Sequence, residues 1–181
     1  MVTLGILSDT HIPDRVLRLN PRVIPFFRSA QVEAILHAGD VCTPGVLEQL
    51  GQVAPVYAVR GNRDWLWLRR LPLRRHLTIE GINIGLAHGH GGWPVYWQDK
   101  LYFLLNGYHH ERLMPRLSLE FAEARVIVFG HGHLPLNRWV NGQLFINPGA
   151  AYFQRKNDPA PTVGLLYIEP GSKVKAEIVK L

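Results

Sequence analysis

Apolar residues in this sequence gather in short unbroken runs, and run after run ends on glycine, aspartate, asparagine or histidine. Residues 2–8 (Val-Thr-Leu-Gly-Ile-Leu-Ser) form the first run, 33–37 the second and 55–60 (Pro-Val-Tyr-Ala-Val-Arg) the third. Runs of this length between turn formers predict buried strands. Between them, residues 21–30 predict a helix opening near a proline, and 44–50 a shorter one after Pro44. Proline suits a first turn, whose N–H groups have no partner anyway. Strands alternating with helices predict right-handed crossovers, a parallel sheet and an α/β fold.

After residue 74 the pattern changes. Residues 75–80 and 82–87 are strand-like runs around a glycine turn, a hairpin signal. Residues 91–108 carry Trp93, Tyr96, Trp97, Tyr102, Phe103 and Tyr108 and predict one weakly marked helix. Residues 115–124 predict a helix opened by Pro115. The stretch 126–133, Val-Ile-Val-Phe-Gly-His-Gly-His, runs from a buried strand through a glycine turn into two histidines. Runs at 136–140 and 143–147 are joined by Asn141-Gly142, a type I′ hairpin signal. The last two, near 162–168 and 173–180, flank Pro170-Gly171. Six to nine strands with a few helices predict two sheets rather than one.

At 181 residues with 47% hydrophobic side chains, the chain is sized for a single domain, 1–181, with a real core. No apolar run is long enough for a transmembrane helix, so no membrane partner is expected. Met1 to Asp9 lack the basic region and cleavage site of a signal peptide. Cys42 is the one cysteine, which excludes an intrachain disulfide and fits a reducing cytoplasm. The net charge of +6 favours an anionic partner, a phosphorylated small molecule or a nucleic acid. A basic surface with no partner is the plainer alternative.

The chemistry lies where the runs end. Asp9 with His11, then Asp40, Asn62, His88 and the pair His131/His133 each follow an apolar run directly. Each is ordinary alone, since Asp, Asn and Gly are turn residues. Together, strand ends of one sheet system would converge on one rim, where open α/β sheets place ligands. Mixed imidazole and carboxylate donors suit Mn²⁺, Fe, Zn²⁺ or Ni²⁺ better than Mg²⁺ or Ca²⁺, which prefer oxygen shells.

The succession Ser8-Asp9-Thr10-His11, His37-Ala38-Gly39-Asp40, Gly61-Asn62-Arg63-Asp64, His88-Gly89-His90, Gly130-His131-Gly132-His133 and Asn147-Pro148-Gly149 resembles the calcineurin-like metallophosphoesterase superfamily. It is most similar to the minimal bacterial and archaeal phosphodiesterases, a branch that includes a retromer subunit of the same fold. The resemblance implies a four-layer αββα sandwich of two mixed sheets flanked by helices, with two divalent metals, manganese foremost, at the sheet edge. It implies Asp9, His11, Asp40 and His133 around one ion and Asp40, Asn62, His88 and His131 around the other. Such a pair leaves the site net positive and can generate a bridging hydroxide that attacks the phosphorus of a phosphate ester, a nucleotide or other organic phosphate. Two rivals follow from the same resemblance and charge: a non-catalytic protein-interaction scaffold, and a nucleic-acid-processing phosphoesterase. Degraded ligands would favour the scaffold, and none of these positions is degraded.

Many relatives carry histidine after the Gly-Asn pair, as the acid that protonates the leaving oxygen. Here the residue is Arg63, which stays charged and can bind phosphate but cannot donate a proton near neutral pH. His90 is a substitute acid or, by the plainer reading, a rim histidine. Asp64 is expected to orient its neighbours. Residues 60–75 interleave Arg60, Arg63, Arg69, Arg70, Arg74 and Arg75 with Trp65 and Trp67. They are read first as solvated arginines around tryptophans in the core or a homo-oligomer contact, and second as a nucleotide or single-strand surface. The aromatics of 91–108 carry the same readings, plus a lid over the metals. Cys42, just after Asp40, is read as a neighbour of the site or, more plainly, as a small buried hydrophobe; His37, His76, His109 and His110 are left structural.

Overall fold

A computed structural model describes residues 1–152, 160–171 and 173–181; the side chain of Trp93 lies outside the described set. Among the described residues the order is β1 (Val2–Leu7), α1 (Val23–Ser29), β2 (Ala34–His37), α2 (Pro44–Gly51), β3 (Val56–Ala58), β4 (Arg74–Ile79), β5 (Ile82–Ala87), α3 (Trp93–Asn106), α4 (Met114–Glu120), β6 (Val126–Val128), β7 (Leu136–Val140), β8 (Gln143–Asn147), β9 (Thr162–Glu169) and β10 (Lys173–Lys180). The described residues form ten strands, one more than the six to nine expected.

The strands form two five-stranded mixed sheets, ordered β10-β9-β1-β2-β3 and β4-β5-β6-β8-β7. In the first, β1, β2 and β3 are parallel, and β9 pairs antiparallel with β1. In the second, β5, β6 and β8 are parallel, flanked by antiparallel β4 and β7. The Asn141-Gly142 turn has both residues at positive φ, 48° and 81°, as a type I′ hairpin requires.

Three apolar clusters define the layers. Leu4, Ile6 and Leu36 of one sheet meet Ile84, Leu86, Val128 and Ile146 of the other in a central core. Val23 and Phe27 of α1 and Val46 and Leu50 of α2 cover the outer face of the first sheet. Leu117 of α4, with Phe121, covers the second sheet over Ile127, Phe129 and Phe145. The result is the four-layer sandwich expected.

The clearest difference from expectation lies at α4. The helix expected over 115–124 ends at Glu120, and Phe121, at φ −117° and ψ 48°, swings its ring into the core. The stretch 126–133 follows its expected course, with Val126–Val128 as strand and the histidine-bearing turn after it.

Candidate metal centre

Five loops meet at one rim, at the carboxyl ends of β1, β2 and β3 in one sheet and β5 and β6 in the other. They bring Asp9, His11, Asp40, Asn62, His88, His131 and His133 together from segments far apart in sequence. His11 Nε2 lies 3.1 Å from His133 Nε2, and Asp9 Oδ1 lies 3.2 Å from His133 Nε2 and 3.7 Å from His11 Nε2. Asn62 Oδ1 lies 3.1 Å from both His88 Nε2 and His131 Nδ1. Asp40 Oδ2 lies between these groups, 3.6 Å from His11 Nε2 and 3.5 Å from His88 Nε2.

The backbone is bent to achieve this. Asp9, His11, Asp40, His131 and His133 all have positive φ, between 51° and 74°. Non-glycine residues avoid that region, and such outliers persist where the surroundings enforce them. Gly61 and Gly130 give the loops room. A Cβ on Gly61 would collide with the Asp40 carboxylate, and one on Gly130 with the Ser8 hydroxyl.

The ring nitrogens facing inward are available because the others are engaged. His88 Nδ1–H donates to the Ala38 carbonyl at 2.7 Å. His11 Nδ1 faces Asp14 Oδ2 at 3.3 Å, and His133 Nδ1 faces the Tyr152 hydroxyl at 3.4 Å. Such partners fix the tautomer and leave the opposite nitrogen as a ligand. Asp9 Oδ2 accepts from the Ser8 hydroxyl at 2.5 Å and the His131 N–H at 3.1 Å. Asp9 Oδ1 is buried and makes no hydrogen bond among the described residues. A buried carboxylate oxygen left so is costly unless a cation meets it. The donor set and this oxygen fit a divalent cation, and Asp9, His11 and His133, like Asp9, Asp40 and His88, are grouped closely enough to hold one.

Without metal the cluster is strongly polarised. Burial works against charge on His88, but the Asp40 carboxylate outweighs it and pushes the ring up to about 10. Burial would also raise Asp40, yet His88 pulls it down to about 2. Asp9 is held well below 3.8 by His11 and His133, again against its burial. His131 goes the other way: burial, then the nearby His88 charge, lower it to about 3.

Behind the rim, Asp64 ties two loops together. It accepts from the N–H groups of Gly61, Asp40 and Cys42 at 2.8, 3.0 and 2.7 Å. Arg63 donates its backbone N–H to Asp40 Oδ1 at 2.8 Å, while its half-exposed guanidinium lies 3.9 Å from Asp14. His90 stacks near His88, with ring centroids 5.5 Å apart. Burial lowers it to about 4, which suits a hydrogen-bonding role better than proton donation at neutral pH. His37 is buried under the Asp40 loop, accepting from Gly39 N–H through Nδ1 and facing Thr10 Oγ1 at 3.2 Å. Cys42 is buried, and burial pushes its thiol up.

The sequence matches the calcineurin-like phosphoesterase superfamily domain over residues 2–171. The chain belongs to that superfamily. A probable metallophosphoesterase of Methanothermobacter thermautotrophicus is 36% identical over 177 residues, covering 98% of this chain and 91% of that one. A phosphodiesterase of Methanocaldococcus jannaschii is 26% identical, over 92% of this chain and 93% of that one. Vps29 of Entamoeba histolytica, solved in complex with zinc, shares the fold with a TM-score of 0.72 at 22% identity, each chain covered to 99%.

Two contributors to this calcineurin-like site carried no signal in the sequence. Asp14 and Tyr152 touch His11 and His133 only through loop geometry. Trp65 and Trp67 correct an expectation. They are not core residues: 65% and 58% of their surfaces are exposed. Tyr96 of α3 reaches the site, its ring 6.0 Å from that of His131. No helix among the described residues is long and apolar enough to cross a membrane.

Proposed function

We propose that this chain is a metal-dependent phosphoesterase, acting on phosphodiesters, with a site for two divalent ions and manganese as the preferred one. Asp9, His11, Asp40 and His133 would hold one ion; Asp40, Asn62, His88 and His131 would hold the other. Ions bound there would supply positive charge for the phosphoryl oxygens and acidify a water for attack near neutral pH.

The protein's own residues prepare the rest. Asp14, Ala38 and Tyr152 orient the rings of His11, His88 and His133. Arg63 remains charged and is read as a clamp on a phosphoryl oxygen, not as an acid. Departure of the alcohol then depends on how well that alcohol leaves unaided. The phosphodiesterase among the relatives supports a diester substrate.

The observation that carries this reading is Asp40, whose Oδ2 faces one imidazole from each group, His11 at 3.6 Å and His88 at 3.5 Å. A shared carboxylate is what a close pair of ions needs. The test is the metal-depleted protein assayed on bis(p-nitrophenyl) phosphate and p-nitrophenyl phosphate, with Mn²⁺, Ni²⁺, Fe²⁺, Zn²⁺ or Mg²⁺ restored singly. Manganese is expected to restore the most turnover, with the diester preferred. No turnover under any ion would remove the proposal.

A further inference from the structure

A cleft opens beside the metal centre and shares Asn62 with it. Its volume is about 180 Å³, and its walls include Arg60, Trp65, Arg69, His90 and Tyr96. That is below the ~300–1,000 Å³ of pockets that enclose a drug-sized ligand. It has room for one ring system, not for a dinucleotide. We propose that this cleft receives the leaving-group side of the ester and selects a nucleobase, making the substrate a nucleotide diester. The inference rests on the phosphoesterase reading and extends it to a substrate class.

Two observations choose this occupant. The first is the pair of aromatic walls. Trp65 leaves 65% of its surface in water, although indole is among the side chains that gain most from burial. Tyr96, on α3, lines the same cleft, with its ring 6.0 Å from that of His131. An exposed indole and a phenol lining one narrow cleft form a stacking platform, which accepts any base through its π-face.

The second is charge. Arg60 and Arg69 line the cleft, and no carboxylate does among the described residues. The Arg60 guanidinium donates to the Arg69 carbonyl at 2.7 Å, which ties these two lining residues together. A quaternary ammonium would also fit aromatic walls, but two guanidiniums repel it. An electron-rich ring on a phosphate-bearing sugar is attracted.

The probe is AMP, titrated by calorimetry into the full chain, metal-free and manganese-loaded, beside ribose 5-phosphate and choline phosphate. AMP is expected to bind tightest. Trp65→Ala should weaken AMP about tenfold, within the range for one lost base stack, and leave ribose 5-phosphate unchanged. Trp65→Phe should recover most of the loss. Trp139→Ala, which removes an exposed indole on β7 held against Arg125, should change nothing. Equal AMP affinity in Trp65→Ala, or ribose 5-phosphate or choline phosphate binding as tightly as AMP, would overturn the proposal. Those results with manganese-dependent hydrolysis intact would sink the subsite alone. Trp65-dependent AMP binding with no hydrolysis under any ion would sink the hydrolase reading and leave the cleft a nucleotide site.

Discussion

Asp64 Oδ2 accepts the backbone N–H of Asp40 at 3.0 Å and, with the same oxygen, that of Gly61 at 2.8 Å. One buried carboxylate therefore fixes the spacing between the loop that carries Asp40 and the loop that carries Asn62. Its other oxygen holds Cys42 N–H at 2.7 Å. Burial raises the Asp64 pKa, and these backbone donors oppose that rise. Asp64→Ala would strand three donors, whereas Asp64→Asn keeps one acceptor and turns an amide N–H₂ against the remaining N–H groups. The expected losses are about 1–3 kcal/mol in stability per unsatisfied buried group and about 10–100-fold in manganese affinity. Denaturant melts and elemental analysis of both variants check this. Unchanged metal content in Asp64→Ala would show that the loops hold their spacing without the clamp.

Asp40→Ala gives the sharpest test of sharing. If Asp40 belongs to both ion sites, its loss should abolish turnover under every divalent ion and drop the bound manganese from two per chain toward none. His131→Ala should leave one ion bound, because the Asp9, His11 and His133 group is untouched. Metal analysis after dialysis separates the two patterns. Wild-type turnover in Asp40→Ala would defeat the binuclear reading.

The Asp40–His88 pair also sets a pH signature for the metal-free protein. His88 is raised from 6.5 to about 10, so its contribution is complete below 6.5 and is lost as pH rises through 10. Asp40 is lowered from 3.8 to about 2, so its contribution is complete above 3.8 and is lost as pH falls through 2. Burial opposes the charged form of both groups, and the Asp9 carboxylate resists ionisation of Asp40 while it favours the charged His88 ring. Linkage then places the pair's full contribution between about pH 4 and 6.5. The Tm of metal-free protein is expected to decline from pH 6.5 toward 10, and Asp40→Asn should flatten that decline. An equal alkaline decline in the variant would assign it to other groups.

Much of this was legible in sequence because parallel strands bury both faces, which writes an apolar run, and because their ends carry the chemistry. Asp9, Asp40, Asn62, His88 and His131 stand out for that reason. The Asn141-Gly142 turn was legible through its demand for positive φ. Asp14 and Tyr152 were not: Asp14 meets His11 only through the fold of its own loop and Tyr152 meets His133 across loops, and neither contact leaves a periodicity. The exposure of Trp65 and Trp67 was hidden for a related reason: composition favours buried indole, and only tertiary context reveals a stretch where no layer covers it. The early end of α4 belongs here too, since the packing of Phe121 beside His76 and over Gly85 is set by residues distant in sequence.

Arg63 separates two accounts of how the leaving alcohol departs. Its guanidinium is half exposed and 3.9 Å from Asp14, near the His11 side of the site. Guanidinium keeps its proton near neutral pH, so it can bind an oxyanion but not protonate one. Nitrophenolate needs no proton to leave, and the wild-type protein should handle such diesters well. Alkyl alcohols do need one, and the wild-type rate should fall steeply along a series of poorer leaving groups. Arg63→His places an imidazole where a general acid would stand. It should raise the rate about tenfold or more for the poorest leaving group, within the range of general acid catalysis, and do little for nitrophenyl esters. A plot of log rate against leaving-group pKa reads this directly: the variant's slope should be shallower. Parallel slopes would mean that Arg63 does not occupy the proton donor's place, and that another group, His90 first, must be tested there.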